Sequence, residues 1–253
     1  LSGFPFFVSS CKDGQMEAKQ RIIFALDVQT LKEAESLAAL LKDHVGVFKI
    51  GLELFVACGP SVVEAVRKNA PHCGIFLDLK LHDIPETIKG AMKSASTLGA
   101  DFVTVHTNDG SALLKAAVEA GGASKILGVT VLTSLSADAL KEAGIDITKF
   151  KDPSDLVLQR ASVARMAGCA GIVCSAEEAA LVRKEFGPDF LIVTPGIRSE
   201  GDAIGDQKRV ATPYEAIRNG ADYIVVGRPI RKAPDPIKAA EKIAADIERA
   251  LKE

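Results

Sequence analysis

The sequence predicts a single-domain α/β protein with a (β/α)8 barrel, the TIM-barrel architecture. Eight short runs rich in Val, Ile and Leu alternate with amphipathic helical segments, as in parallel sheets built from strand–helix–strand units. A length of 253 residues suits one such barrel. Polar residues also stand at the ends of most of the predicted strands, where these barrels carry their sites.

The first half of the chain supplies a tail and four strand–helix units. We expect strands at 21–27, 45–50, from 74 onward and 101–106, followed by helices near 31–41, 54–66, 84–98 and 111–120. Residues 1–20 lack the basic start, apolar centre and cleavage site of a secretory signal. We therefore interpret 1–20 as a flexible or foreign extension and 21–253 as the catalytic barrel.

The second half of the chain repeats the pattern. Strands are predicted at 125–132, 171–174, 190–194 and 222–227, with helices at 138–143, 155–167, 176–186, 213–219 and 236–251. An open doubly wound sheet is the rival fold, and a G-x-G-x-x-G motif after the first strand would favour it. Because Asp27-Val28-Gln29-Thr30 stands there instead, the barrel is preferred.

Composition limits the classes of partner. The formal net charge of −2 gives no basic surface for nucleic acid or anionic membranes, and no apolar run approaches the roughly 20 residues of a membrane span. The cysteines lack zinc-site spacing, which predicts buried thiols in a reducing, cytoplasmic compartment. They are Cys11, Cys58, Cys73, Cys169 and Cys174.

The stretch from Asp78 to Thr87, Asp-Leu-Lys-Leu-His-Asp-Ile-Pro-Glu-Thr, concentrates charge at the end of an apolar strand. Strand alternation places Asp78 and Lys80 on one face, and Asp83 can fold back towards Lys80. Ionised groups in such a place are costly unless they are paired or used. An ion pair that only fixes local geometry is the alternative, but the place at a barrel mouth favours catalysis.

Other strand ends converge on the same mouth of the predicted barrel. They carry Asp27, Lys49, His106, Thr133 with Ser134, Arg198 and Arg228. Loops seven and eight commonly bind phosphate in these barrels. Gly227 lets the backbone approach an anion, Arg228 offers a fork of donors, and Gln207 lies in a long loop able to close over it. These features predict a phosphorylated ligand.

Together these residues resemble the orotidine 5′-phosphate decarboxylase family, most closely its compact, single-function bacterial form. The motifs that carry the resemblance are Asp27, Lys49, Asp78-x-Lys80-x-x-Asp83, Thr133, Pro195-Gly196-Ile197-Arg198, Asp206-Gln207-x-Arg209 and Gly227-Arg228. The resemblance runs from about residue 21 to the C-terminus. Ser199-Glu200 follows the loop-seven arginine where a proline is common in the family.

The resemblance implies loss of CO2 from orotidine 5′-phosphate to give uridine 5′-phosphate, the last step of pyrimidine nucleotide synthesis, without metal or organic cofactor. Lys80 would protonate C6 of the ring, and Asp78 would sit beside the departing carboxylate. Asp83 would hold Lys80 and, with Thr87, reach the site of a partner in a homodimer.

The same resemblance implies the contacts of the rest of the substrate. Asp27 and Lys49 would contact the ribose hydroxyls, and Thr133 and Ser134 would line the pyrimidine. The phosphate would be held by Arg198, Gln207, Gly227 and Arg228, with Gln207 also bridging to the base. His82 and His106 are interpreted as structural histidines.

Three alternatives are weighed against this function. A magnesium-dependent decarboxylase or lyase of the same superfamily, acting on a keto-sugar phosphate, shares the D-x-K-x-x-D string but has a glutamate ligand where this chain has Lys49, whose charge repels Mg²⁺. A Schiff-base aldolase is disfavoured because nearby carboxylates favour the ammonium form of Lys80. A catalytically silent barrel that binds a phosphorylated nucleotide would keep costly buried charges without use.

Overall fold

The computed structural model describes residues 16–132, 137–142, 144–146, 150, 153–198 and 210–253. Eight parallel strands form a closed barrel in which each strand pairs with its neighbours in sequence and β8 returns to β1. This confirms the predicted barrel. The strands are β1 (Ile22–Ala25), β2 (Val47–Gly51), β3 (Gly74–Leu81), β4 (Phe102–His106), β5 (Lys125–Val129), β6 (Gly171–Val173), β7 (Leu191–Thr194) and β8 (Tyr223–Val226).

Helices follow the strands along the chain. They are α1 (Leu31–Leu41), α2 (Leu52–Cys58), α3 (Ser61–Asn69), α4 (Pro85–Thr97), α5 (Ser111–Ala120), α6 (Ala137–Glu142), α7 (Pro153–Met166), α8 (Ala176–Phe186), α9 (Pro213–Arg218), α10 (Arg228–Arg231) and α11 (Pro236–Lys252). Within the ranges given above, none of the helices combines the length and apolar character needed to cross a bilayer.

Helix starts are encoded locally. Thr30 and Thr212 accept a hydrogen bond from the backbone N–H three residues later, and the Glu33 and Glu215 carboxylates in turn accept one from the backbone N–H of the cap residue. Such reciprocal capping satisfies two otherwise unpaired donors of the first turn. Pro236 occupies the first position of α11, where its missing N–H costs nothing.

Two apolar layers hold the barrel together. The outward faces of the strands pack against the helices in one continuous core. Inside the barrel, a second cluster contains Ile23, Val47, Phe76, Phe102, Leu127, Val193 and Tyr223. The rings of Phe76 and Phe102 meet edge to face with centroids 6.0 Å apart, and those of Phe102 and Tyr223 are 5.4 Å apart. Phe76 of this cluster also lines the cavity at the carboxyl ends of the strands, the end at which these barrels carry their sites.

Two features differ from the sequence predictions. Residues 16–20 were assigned to the tail, but Met16 packs against the interior cluster and a short 3-10 helix, Ala18–Arg21, buries Ala18. The barrel therefore begins before residue 21, and the rest of the predicted tail lies outside the described residues. The short helix α10 was not predicted, because four residues containing a proline show no periodicity.

Candidate active site

A cavity of about 280 Å³ opens at the carboxyl ends of the strands. Seven of the residues that the sequence singled out line it: Asp27, Lys49, Asp78, Lys80, Arg198, Gly227 and Arg228. They come from five different strands or the loops that follow them, namely β1, β2, β3, β7 and β8. These seven residues therefore meet at one mouth of the barrel, as the sequence predicted.

Four charged side chains form an alternating row in this cavity. Lys49 Nζ lies 3.2 Å from Asp27 Oδ1 and 3.6 Å from Asp78 Oδ2. Lys80 Nζ donates a hydrogen bond of 2.7 Å to Asp78 Oδ1. Lys49 is only 8% exposed, so its charge is held by these partners rather than by water. We call these four residues the charged row.

Asp78 is the centre of the charged row. Burial acts to raise the pKa of its carboxyl, but the neighbouring Lys49 and Lys80 and the hydrogen bonds from Lys80 and Thr104 outweigh burial. The pKa of Asp78 is consequently held below the ordinary value, and the carboxylate is ionised at neutral pH.

The end of β3 is irregular. Leu77 pairs with Val103 and Leu81 with Val105, so four steps along β3 oppose two along β4. Lys80 has a φ of 48°, and in the described part of the chain it is the one non-glycine residue with positive φ. Simple strand alternation was the predicted reason for Asp78 and Lys80 to share a face. Both do line the cavity, but a bulge-like distortion brings them there.

Thr104 on β4 was missed by the sequence reasoning. Its side chain is fully buried, its Oγ1 donates to Asp78 Oδ1 at 3.0 Å, and it accepts from the Lys80 backbone N–H at 2.9 Å. A threonine inside an apolar strand carries little signal by itself. Its position beside the distorted part of β3 becomes visible only once the strand register is known.

Gly51, at the end of β2, was also missed. A Cβ built at Gly51 would lie 3.0 Å from Lys49 Nζ and 3.8 Å from Asp27 Oδ1. The absent side chain leaves room for the ammonium group between its two carboxylates. Gly51 also lines a second opening of about 120 Å³, which reaches Lys80 and Asp78 from the side of α2 and includes Leu52.

The strand-eight end lies against the other side of Asp27. A Cβ at Gly227 would approach Asp27 Oδ2 to 3.3 Å, so glycine there keeps the turn close to the charged row. Arg228 is the first residue of α10, and it lines the cavity with Arg198. Arg198 Nη1 donates to the Ile197 carbonyl at 2.7 Å.

Opposite the charges, the cavity wall is apolar. It is formed by Val129, Val131, Leu132, Val173, Cys174 and Pro195. A row of fixed charges facing an apolar wall accommodates a flat ring that carries charge on one edge. Two cationic residues at the far end, Arg198 and Arg228, complement an anion such as phosphate.

Asp83 and Thr87 do not line the cavity within this chain. Both are exposed at the start of α4, and Asp83 Oδ1 accepts a hydrogen bond of 2.7 Å from the Ile84 N–H. The expectation that Asp83 folds back to Lys80 is wrong for the single chain, because no ion pair joins them among the described residues. The carboxylate instead accepts a hydrogen bond from the amide of the next residue, just before α4 begins.

The two histidines near β4 differ. His82 is exposed and contacts the Asp109 carboxylate, and its ring lies 5.5 Å from that of His106. Nδ1 of His106 is buried and meets no hydrogen-bond partner in the described part of the chain, so the expected satisfied structural histidine is not found. Burial lowers the pKa of His106, and the neighbouring His82, Lys80 and Arg160 lower it further, although Asp78 opposes them.

Three predicted contacts, Thr133, Ser134 and Gln207, lie outside the described residues. Among the residues that are described, no group of three or more His, Cys, Asp or Glu side chains could hold a metal ion. Asp27 and Asp78 both line the cavity, and the Lys49 ammonium lies 3.2 Å from the first carboxylate and 3.6 Å from the second.

Comparison with known proteins places this chain in a family. Residues 20–243 match the model described as "Orotidine 5'-phosphate decarboxylase / HUMPS family". Among curated proteins, "Orotidine 5'-phosphate decarboxylase" of Desulfosudis oleivorans is 48% identical over 237 residues, covering 92% of this chain and 95% of the relative. The protein of that name from Anaeromyxobacter dehalogenans is 50% identical over 234 residues, covering 92% of this chain and all of the relative.

The fold comparison agrees. The crystal structure of orotidine 5'-phosphate decarboxylase from Lactobacillus acidophilus superposes with a TM-score of 0.75 at 36% sequence identity, covering 89% of this chain and 98% of that one. A structure described as an uncharacterized conserved protein from Geobacillus kaustophilus superposes with a TM-score of 0.74 at 32% identity, covering 89% and 99%.

Proposed function

The chain belongs to the orotidine 5′-phosphate decarboxylase family of carboxy-lyases, and on that premise we propose that Lys80 protonates C6 while orotidine 5′-phosphate loses CO2. The charged row is the observation that carries this proposal. It places an ammonium group 2.7 Å from a buried carboxylate at the mouth of a barrel, with two arginines at the other end of the same cavity.

The substrate would span the cavity from phosphate to ring. Arg198, Gly227 and Arg228 are proposed to hold the phosphate, with Gln207 closing over it and bridging to the base. Asp27 and Lys49 would take the ribose hydroxyls, and Thr133 and Ser134 the polar edge of the pyrimidine. Binding energy from the phosphate, remote from the reacting carbon, can then be used to hold the ring against the charged row.

The proposed step moves one electron pair and one proton. The bond between C6 and the carboxylate carbon breaks, CO2 leaves, and the electron pair stays on C6 while the Lys80 ammonium transfers its proton to that carbon. Water returns a proton to the lysine after product release. Because Asp78 and Lys80 are fixed before substrate arrives, the charge that develops at C6 is stabilised with little reorganisation. Repulsion between Asp78 and the substrate carboxylate is relieved as CO2 departs.

The magnesium-dependent keto-sugar phosphate enzymes are the second candidate. Their reaction would use carboxylate ligands at the ends of the first three strands. Here Lys49 Nζ is 3.2 Å and 3.6 Å from the two remaining carboxylates, so a cation there would meet a fixed positive charge. The donor set therefore supports the cofactor-free proposal over this alternative.

A homodimer in which Asp83 and Thr87 complete the partner's site is part of the proposal. Both residues are exposed, and Ile84 between them is 67% exposed. The second opening to the charged row has Leu52, 53% exposed, at its rim, and Val56 on the same helix is 80% exposed. Burying these apolar side chains would favour association and bring a partner's carboxylate towards that opening. A cytoplasmic location stays a prediction; the four described cysteines are free, as a reducing compartment requires.

The test of the function is turnover by the purified, chelator-treated protein. We expect loss of the absorbance of orotidine 5′-phosphate with formation of one uridine 5′-phosphate per CO2, at a rate unchanged by added Mg²⁺. Activity that disappears with the chelator and returns with Mg²⁺ would favour the second candidate. Binding of the nucleotide without turnover would instead indicate the catalytically silent barrel.

A further inference from the structure

The buried hydroxyl of Thr104 connects the two residues that the proposed reaction depends on most. Its Oγ1 lies 3.0 Å from Asp78 Oδ1 and 2.9 Å from the backbone nitrogen of Lys80. The side chain is fully buried on β4, so no bulk water competes for either bond. One small group thus contacts both the carboxylate and the main chain of the proposed proton donor.

The directions of these hydrogen bonds are fixed by chemistry. An ionised carboxylate only accepts, so the single hydroxyl hydrogen of Thr104 is directed to Asp78. A backbone N–H only donates, so the Lys80 amide is directed to a lone pair of the same oxygen. The carboxylate uses the donor of the hydroxyl and the amide uses one of its acceptor lone pairs, so the two hydrogen bonds do not compete. Rotation of the hydroxyl hydrogen away from Asp78 would break the bond to the carboxylate.

The bond to the Lys80 amide replaces a missing strand contact. Between Leu77 and Leu81 the pairing with β4 shifts, and Lys80 adopts a φ of 48°, a conformation sparsely populated by side chains other than glycine. Such a conformation persists only where the surroundings fix it. The Thr104 hydroxyl supplies an acceptor to an amide that would otherwise lack one at this break in the ladder.

We propose that Thr104 is a positioning residue for the decarboxylation, whose hydroxyl holds the Asp78 carboxylate and the left-handed backbone of Lys80 in their reactive arrangement. This inference rests on the proposed role of Lys80. The Lys80 ammonium and the Thr104 hydroxyl meet at the same oxygen, Asp78 Oδ1. Removing the hydroxyl therefore frees both the carboxylate and the segment that carries the ammonium group.

The proposal also predicts a change in pH dependence. Asp78 faces Lys49 from β2, Lys80 from β3 and His106 from β4, with Asp27 of the β1 end beyond Lys49. Lys49 and Lys80 remain when Thr104 is changed, but one hydrogen bond that lowers the pKa of Asp78 is lost. The pKa of Asp78 then rises. Because the reaction needs this carboxylate ionised, the variant should lose activity on acidification at a higher pH than the wild type does.

The experiment compares Thr104→Val, which keeps the shape but removes the hydroxyl, with Thr104→Ser, which keeps the hydroxyl. Thr107→Val is the matched control, because Thr107 is buried just beyond β4 and donates to the Val129 carbonyl at 2.8 Å without lining the cavity. We expect Thr104→Val to lower kcat at least about tenfold, as small misplacements of reacting groups do. The Kd of uridine 5′-phosphate should change less than about twofold, as its phosphate and ribose contacts remain.

The serine variant should keep kcat within about threefold of the wild type, and Thr107→Val should match the wild type. The acid limb of the kcat profile should move to higher pH in Thr104→Val alone. A folded Thr104→Val protein with wild-type kcat and an unchanged acid limb overturns the proposal, and so does an equal loss in Thr107→Val. If the valine variant does not fold, Thr104→Ala carries the same expectations. A wild-type protein without decarboxylase activity contradicts the proposed function instead.

Discussion

The Lys49 ammonium is the residue-scale feature that gives the site its character. Two carboxylates lie within 3.6 Å of it, and the group is almost excluded from water. A buried charge of this kind does not stabilise a fold efficiently, because desolvation offsets much of the attraction. Its value is as a fixed charge that needs no rearrangement when the substrate reacts.

Replacing this lysine tests that interpretation. In Lys49→Glu, three carboxylates would converge where an ammonium stood between two, so we expect decarboxylation to fall by at least about a hundredfold and a divalent cation site to appear. Calorimetric titration with Mn²⁺ or Mg²⁺ measures the second effect. Lys49→Gln is the control, and it should lose activity without gaining cation affinity. Cation binding equal in both variants would contradict the account.

How far the sequence predicts single residues depends on the kind of signal. Asp27, Lys49, Asp78 and Lys80 could be predicted because a charge at the end of an apolar strand is conspicuous. Thr104 could not, because a threonine is ordinary in a strand. Its role arises from a register shift that depends on contacts between β3 and β4.

At the scale of elements, the base of the barrel repeats one construction in its two halves. Asp101 lies just before β4 and accepts a hydrogen bond of 2.8 Å from the Ile75 N–H. Asp222 lies just before β8 and accepts one of the same length from the Ile192 N–H. Each aspartate follows a Gly-Ala pair in the sequence. The carbonyl of that glycine accepts a hydrogen bond from an arginine, Arg67 of α3 in the first case and Arg183 of α8 in the second. The arrangement fixes the register of β3 with β4 and of β7 with β8.

These two aspartates give a stability prediction. Asp222→Ala should lower the free energy of unfolding by about 2–3 kcal/mol. The substitution leaves the Ile192 N–H without its hydrogen-bond acceptor and removes the carboxylate that lies 2.6 Å from the half-buried Arg183. Asp101→Ala, which leaves only the Ile75 N–H without its acceptor, should lower the free energy of unfolding by about 1–2 kcal/mol. Asp246→Ala on α11 breaks a pair whose arginine is exposed to solvent, and it should cost about 0.5 kcal/mol or less. Urea unfolding checks the order, and equal values for all three would contradict it.

The elements themselves were largely predictable. The bounds of α5 and α8 match the predicted segments, because amphipathic periodicity and, for α8, a Ser175 capping box mark them locally. The distortion of β3 and the short helix α10 were not predictable from pattern. Both are imposed by neighbouring strands and by the turn at Gly227, not by local propensity.

At the scale of the whole molecule, the single chain leaves the charged row open on the side of α2. Asp83 lies outside its own cavity, and exposed Ile84 and Val56 mark the surface on which a second copy is proposed to sit. An isologous dimer would give each site a carboxylate from the partner, and so make the two sites dependent on both chains.

Mixing two inactive variants measures this dependence. Lys80→Ala and Asp83→Ala homodimers should each be strongly impaired. After dissociation and random reassociation in equal amounts, half of the dimers are mixed and each has one intact site, so about a quarter of wild-type activity should return. Asp109→Ala, at an exposed carboxylate also near His82, replaces Asp83→Ala in the control mixture. Because that variant should be active alone, its mixture should gain nothing beyond the average of its components. Failure of the first mixture to recover activity would contradict the shared site.

The kcat of Lys80→Ala tests the central claim most directly. The variant removes the proposed proton donor but leaves the phosphate contacts, so uridine 5′-phosphate should bind within about tenfold of the wild-type Kd while turnover of orotidine 5′-phosphate falls by at least about a thousandfold. Circular dichroism on the same sample verifies that the barrel is folded. A folded Lys80→Ala protein with near-normal kcat would contradict the assignment of Lys80 as the group that protonates C6.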